Sequence, residues 1–261
     1  MTLLVAALFA ALFTIFFQRK GYFQLFEMAV YPIKFWHTAG AFLIYLLLAM
    51  ILVPILSVIA PKFVLTSWFQ VLFLILTFVA LVIYLLVLRR KLVHALFWGE
   101  ARGDFADFKK GVVLGTITWF LSYPYVLFVN TLIKLLVKDS ENEQVAVQFL
   151  KQMKGKPLLL SVMLILVVFI VPFIEELLFR GFLQTWLRKR LSRFWAVGLA
   201  AAIFSLVHYA PGQNNLEVIC SLFVLSCFLG FIYEKSRILW APYALHATFN
   251  AVSSVVVLLA K

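Results

Sequence analysis

Two adjacent glutamates and an arginine lie inside a long apolar stretch of the chain. The run at 171–181 reads VPFIEELLFRG and contains Glu175, Glu176 and, four residues further on, Arg180. An ionisable side chain inside a bilayer costs on the order of 3 kcal/mol even on lenient insertion scales, so such residues are functional candidates by default. Glu176 and Arg180 have the i, i+4 spacing of an ion pair on one helix face. Glu175 is rotated by about 100° from Glu176, so its own helix gives it no partner.

This isolated carboxylate suggests acid–base chemistry. A carboxylate in an apolar site holds its proton more tightly than it does in water, which brings Glu175 into the range of a general base near neutral pH. The alternative is that all three charged residues form a buried structural network. That interpretation fits Glu176 and Arg180 but leaves Glu175 without a role.

Two later apolar stretches carry matching polar residues. One reads FSLVH from Phe204 to His208, and the other reads HATFN from His246 to Asn250, one helical turn apart. A rise of 1.5 Å per residue puts these residues and Glu175 roughly 14 to 22 Å from the basic residues at the ends of their spans. The four polar residues therefore lie near the middle of the bilayer, where they could share one cavity. They are Glu175, His208, His246 and Asn250.

A carboxylate, two imidazoles and a carboxamide at one depth suit the activation of water and the stabilisation of an oxyanion. Zinc is the alternative, because Glu175, His208 and His246 are all possible ligands. The chain has no HExxH pair, and its two candidate histidines are on separate helices. We therefore predict that no metal or other cofactor is required.

The composition indicates which elements must position these residues. The chain has 261 residues, of which 65% are apolar and 13% charged, and its mean hydropathy is +1.05. These values predict an all-α, polytopic membrane helix bundle of about eight transmembrane helices. The predicted spans are 1–18, 38–60, 66–88, 111–136, 157–187, 194–210, 216–234 and 238–260.

The net charge of +12 would suggest nucleic acid as a partner in a soluble protein, but here the basic residues cluster in short loops between spans. We therefore predict no nucleic-acid partner and use the charges for topology. Placing both termini outside puts fifteen basic residues inside and seven outside, which agrees with the positive-inside rule. We expect an integral, multi-pass protein of a bacterial-type plasma membrane. Amphipathic surface helices are predicted at 92–110 and 140–153.

Three motifs on late spans resemble those of a known family. In order they are EExxxR (Glu175, Glu176, Arg180), FxxxH (Phe204, His208) and HxxxN (His246, Asn250), and Gly181 follows the arginine. Together they are similar to the CAAX protease and bacteriocin-processing (CPBP, also ABI) intramembrane endopeptidases. The resemblance covers about 157–256, so we divide the chain into N-terminal transmembrane and surface helices at 1–156 and a catalytic core at 157–261.

The resemblance implies an eight-helix bundle around a conical cavity, and it implies a role for each site residue. Glu175 would activate water that His208 helps to hold. His246 and Asn250 would stabilise the oxyanion, and Glu176 and Arg180 would support these residues. The implied mechanism is glutamate-dependent and needs no catalytic metal.

The implied substrate is a membrane-bound or lipidated peptide or protein, and the sequence leaves open whether it is prenylated. It also leaves the oligomeric state open. A non-catalytic membrane immunity or scaffolding protein is the alternative function. A transporter fits less well, because no inverted repeat is evident.

Overall fold

The computed structural model describes residues 2–25, 33–64, 66–137, 153, 155–209 and 216–259. Helices dominate these ranges, and no strand occurs within them. The predicted all-α, polytopic bundle is therefore confirmed. The predicted surface helix at 140–153 lies outside the described residues, apart from Met153.

Nine helices of the described ranges are numbered here in chain order, and a single helical turn, Pro61–Val64, follows the second. Seven of the nine are long and apolar enough to cross a membrane, namely all except α4 and α7. The helices are α1 (Thr2–Arg19), α2 (Phe35–Ile59), α3 (Ser67–Val87), α4 (Arg90–Trp98), α5 (Phe105–Leu136), α6 (Pro157–Leu187), α7 (Arg193–Leu206), α8 (Leu216–Ser236) and α9 (Trp240–Leu259).

The outer surface of the bundle is apolar, as an integral multi-pass membrane protein requires. In the most hydrophobic 18-residue window of α2, no residue is buried within the protein. In the corresponding window of α1, only 17% of the residues are buried. Large side chains such as Leu4, Val58 and Leu86 are more than 70% exposed. Contact with lipid accounts for this surface, because a soluble protein rarely exposes a continuous apolar face of this size.

Helix α7 is shorter than the predicted span at 194–210. It ends at Leu206, and His208 lies in the turn that follows, where its backbone N–H donates to the carbonyl of Ser205 at 3.2 Å. The apolar pattern continues past the end of the helix, so composition alone overestimates its length.

The predicted surface helix at 92–110 is wrong as a single element. Its first part is α4, which buries Leu92 and Leu96, but α4 ends before Gly99. Gly99 and Gly103 have φ angles of +61° and +80°, which a continuous helix does not allow. Asp104 then caps α5 by accepting a hydrogen bond from the backbone N–H of Asp107. The second part of the predicted segment is thus the beginning of a transmembrane helix.

Helix α6 contains two π-helical segments, one on each side of the turn that carries the two glutamates. Residues Leu166–Ile170 and Leu177–Gln184 form π-helix, and the α-helical turn Val171–Glu176 lies between them. The N–H of Val171 donates to the carbonyl of Leu166, five residues back. The next bond of that series would run from Pro172 to the carbonyl of Val167, but proline has no N–H. In an α-helix the N–H of residue 172 would donate to the carbonyl of Val168. The π-helical pattern therefore moves the carbonyl that lacks an N–H partner from Val168 to Val167.

Helix α9 is held close to α5 and α6. It packs along α5 and also contacts α6 at the turn that carries the glutamates. The approach to α5 depends on Gly115, because a Cβ there would lie 2.1 Å from the carbonyl oxygen of Ala241 and 2.9 Å from the nitrogen of Leu245. This contact positions the next turn of α9, which carries His246.

A buried carboxylate ties α6, α7 and α8 together at the end of α8. Glu234 is 1% exposed. Its Oε2 lies 3.0 Å from Arg188, 3.4 Å from Arg193 and 3.2 Å from Arg237, and its Oε1 accepts a hydrogen bond from Gln184 at 3.0 Å. These contacts set the relative positions of the helices about two turns of α6 beyond the paired glutamates, since Gln184 follows Glu176 by eight residues.

Candidate active site

The structure brings Glu175, His208 and His246 together. Oε1 of Glu175 lies 3.6 Å from Nε2 of His208, and Oε2 lies 3.6 Å from Nε2 of His246. The helix of Glu175 offers no partner, as predicted, but α9 and the turn after α7 do. Glu175 is therefore not an isolated carboxylate. It lies between two imidazoles from α9 and from the turn after α7.

Each imidazole is oriented by a hydrogen bond at its other nitrogen. Nδ1 of His208 lies 2.7 Å from the carbonyl oxygen of Phe204, and a carbonyl only accepts, so Nδ1 is the donor. Nδ1 of His246 lies 2.7 Å from Oε1 of Glu176, which also accepts a hydrogen bond from Arg180. In a neutral imidazole with Nδ1 protonated, Nε2 presents a lone pair. Both lone pairs are directed at the region around the Glu175 carboxylate.

The predicted ion pair between Glu176 and Arg180 is confirmed. Nη1 of Arg180 lies 3.0 Å from Oε1 of Glu176, and the two side chains are 1% and 0% exposed. Nη2 of Arg180 donates to the hydroxyl of Ser226 at 2.6 Å and to its carbonyl at 3.2 Å. Ser226 was not identified from the sequence, because a serine on an apolar helix carries no motif. It fastens the charged pair to α8.

The aromatic ring of Phe204, four positions before His208, packs against the polar groups of the site. Its ring is fully buried, and its centroid lies 4.9 Å from that of His208 and 5.9 Å from that of His246. The guanidinium carbon of Arg180 lies 4.7 Å from the same centroid, within the range of a cation–π interaction. Phe204 is thus an apolar spacer that contacts both imidazoles and the arginine.

The side chain of Asn250 forms a hydrogen bond with the backbone of α6. Its Nδ2 donates to the carbonyl of Val167 at 2.9 Å. This is the carbonyl whose π-helical partner would have been the missing N–H of Pro172. The amide of α9 thus replaces a hydrogen bond that α6 cannot make for itself. An amide nitrogen carries two hydrogens, so one remains for another acceptor.

The polar side chains form a row that runs from an accessible end to a buried end. His208 and Glu175 have side chains that are 32% and 20% exposed, whereas those of His246 and Glu176 are 4% and 0% exposed. Water or substrate can therefore reach Glu175 from the side of His208. On the other side, Glu176 and Arg180 exclude solvent and support His246. The arrangement suits a base that acts on a small molecule held at its accessible face.

A comparison with known protein families matches the part of the chain that carries these residues. Residues 157–252 match the family model described as type II CAAX prenyl endopeptidase, Rce1-like. The matched segment begins with α6 and includes all six residues predicted for the site. No curated protein and no solved structure matches the chain. The resemblance predicted from the three motifs is thereby confirmed over residues 157–252, which are similar to the Rce1-like CAAX prenyl endopeptidases.

Proposed function

We propose that this protein is an intramembrane endopeptidase in which Glu175 activates a water molecule to cleave a peptide bond. The observation that carries the proposal is the position of the Glu175 carboxylate between the Nε2 atoms of His208 and His246, 3.6 Å from each. A water beside Glu175 can donate one hydrogen to the carboxylate and one to an imidazole. Both hydrogens are then held, and an oxygen lone pair is left for the substrate carbonyl.

The first step adds this water to the scissile carbonyl carbon. Glu175 takes a proton as the water oxygen bonds to carbon, and the carbonyl oxygen becomes an oxyanion. His246 and Asn250 are the assigned donors to that oxyanion. His246 is suited to the role in its protonated form, because the carboxylate of Glu176 at its Nδ1 stabilises an imidazolium. Asn250 contributes the Nδ2 hydrogen that is not used on Val167.

The second step breaks the carbon–nitrogen bond. The protonated Glu175 gives its proton to the departing amide nitrogen, which leaves as an amine, and the oxyanion collapses to a carboxylic acid. The sum is one peptide bond and one water converted to one acid and one amine. His208 is assigned to hold the water, since its Nε2 faces Glu175 from the accessible side.

The substrate is proposed to be a membrane-bound or lipidated peptide or protein. The family description names a prenyl endopeptidase, and the apolar outer surface allows approach through the bilayer. We also propose that both termini lie outside, which puts the loop between α6 and α7 inside. In that loop, partial burial lowers the pKa of Lys189, and the nearby charges of Lys34 and Arg190 lower it further. These residues form the strongly basic face expected on the inner side.

The reaction is proposed to need no catalytic metal. A carboxylate supplies the base, and the imidazoles and the amide supply the stabilisation of charge. In the alternative, Glu175, His208 and His246 bind zinc and the metal activates the water. The two mechanisms differ in their response to chelation. Dialysis against a strong chelator should leave turnover intact in the first and abolish it in the second.

The proposal is tested with purified protein in lipid vesicles and a panel of lipidated and unmodified peptides. Glu175→Gln preserves shape but removes the base, and we expect it to reduce turnover by at least about 10²-fold. Glu100→Gln is the matched control, because it makes the same change at an exposed residue. Equal turnover by the Glu175 variant and the native protein would refute the proposed base. Tight binding of peptides without any cleavage would favour a scaffolding role instead.

A further inference from the structure

A cavity with both polar and apolar walls adjoins the candidate active site at Asn250. It has a volume of about 460 Å³ and lies between α5, α8 and α9. Such a volume is in the range of pockets that hold small ligands, roughly 300–1,000 Å³. Apolar side chains make up most of its wall. We call this cavity the side chamber. Its charged, amide and serine side chains are Asn130, Lys134, Glu217, Ser221, Asn250 and Ser253.

Glu217 is the residue of this chamber that needs explanation. Glu217 lies near the end of the span predicted at 216–234, where an exposed side chain is expected. In the structure the residue is only 2% exposed. Its Oε2 has no hydrogen-bond partner within the described part of the chain, and the same is true of the hydroxyl of Ser221, one turn further along α8. Glu217 lies in the first turn of α8, where the helix dipole favours a negative charge. The dipole gives Oε2 no hydrogen-bond donor.

Lys134 is the chamber's other charged residue. It is exposed, in the last turn of α5, four residues after Asn130. No carboxylate of the described residues lies within the 4.0 Å of an ion pair with it. Glu217 is therefore not neutralised by Lys134. A buried carboxylate oxygen that has no donor among the described residues is well complemented by a cation supplied by a ligand.

We propose that the side chamber is a substrate subsite that selects a basic side chain, with Glu217 as its specificity-determining residue. This inference rests on the proposed endopeptidase function, because the chamber meets the reaction centre at Asn250. A lysine or arginine of the substrate, near the scissile bond, enters between α5, α8 and α9. Its charged group then pairs with Glu217 and receives the Ser221 hydroxyl as a further contact. Lys134 opposes the same group from the rim.

The test measures binding separately from turnover. The protein carries Glu175→Gln so that peptides are retained, and the ligands are otherwise identical peptides with one lysine or one norleucine at each position near the cleaved bond. At one position we expect the lysine peptide to bind roughly tenfold or more tightly, as for a hydrogen bond to a charged group. Adding Glu217→Gln should bring the ratio of the two Kd values close to one. Adding Lys134→Met should raise that ratio.

Two outcomes would overturn the subsite. One is equal binding of lysine and norleucine peptides at every position, and the other is a lysine preference that Glu217→Gln leaves unchanged. Glu100→Gln on the same background is the control for a remote loss of negative charge, and it should not alter the ratio. Cleavage by the native protein is measured in parallel. One further outcome is that the native protein cleaves no peptide while a lysine preference that depends on Glu217 is still observed. That result would count against the proposed endopeptidase activity and not against the binding of a basic side chain in the side chamber.

Discussion

Glu176 has two partners, and its replacement should separate their effects. Its Oε1 accepts from Arg180 at 3.0 Å and from His246 at 2.7 Å, and all three side chains are buried. Glu176→Gln keeps an oxygen in place but removes the charge. Arg180 is then a buried cation whose remaining contacts are to Ser226 and to the Phe204 ring. His246 loses the anion that would stabilise its protonated form.

The expected cost of this change is large. Breaking one side of a buried ion pair costs about 3–5 kcal/mol, because it leaves the other charge unpaired. For a chain of this size, each kcal/mol corresponds to a shift of roughly 2–4 °C in Tm, so a fall of about 10 °C is expected. Arg180→Met should cost a similar amount. The double variant Glu176→Gln/Arg180→Met removes both charges and should recover most of the stability.

Activity should not recover with stability. The double variant still lacks the anion beside His246, so its kcat should remain about 10²-fold below that of the native protein. Thermal unfolding in detergent and kcat with the best peptide substrate are the two measurements. A double variant that regains full kcat would refute the role assigned to the pair between Glu176 and His246. A single Glu176→Gln variant with native Tm would refute the buried pair itself.

Other predictions concern helix packing and the backbone of α6. Gly115→Ala should lower Tm sharply because its Cβ would meet the backbone of α9, whereas Gly181→Ala should be tolerated because its nearest neighbours lie at ordinary contact distances of 3.4 Å or more. Asn250→Ala should reduce kcat and also loosen α6 at the carbonyl of Val167, which hydrogen exchange would detect. Adding Pro172→Ala should restore the exchange protection, because alanine supplies the missing N–H, but should not restore kcat. Protection that stays low in this double variant would contradict the assigned hydrogen bond.

Local features of the site were predictable from the sequence. The pair of Glu176 and Arg180 follows from helix periodicity, which repeats every 3.6 residues whatever the surrounding fold. The separation of Glu175 from that pair follows in the same way. The common depth of Glu175 with His208 and His246 follows from counting along each span, because the bilayer imposes one reference plane on every helix.

Contacts between helices were not predictable in this way. The bond from His246 to Glu176 depends on how closely α9 approaches α6, and Gly115 on a third helix sets α9 in place. The bond from Asn250 to Val167 depends on a π-helical turn, whose extra residue per turn is invisible to a count based on α-helix. Glu217 was placed at a span end by its position in the sequence, but the packing of α5 and α9 buries it.

The shortness of α7 links the proposed mechanism to the lipid environment. Fourteen residues rise about 21 Å, whereas the hydrocarbon core of a typical bilayer is about 30 Å thick. The turn that carries His208 therefore lies short of the far headgroups of such a bilayer, and local thinning of the bilayer is one way in which a short span is accommodated. Such hydrophobic mismatch has an energetic cost that grows with acyl-chain length. In the proposed mechanism, the thickness of the host membrane should therefore affect how easily water reaches Glu175.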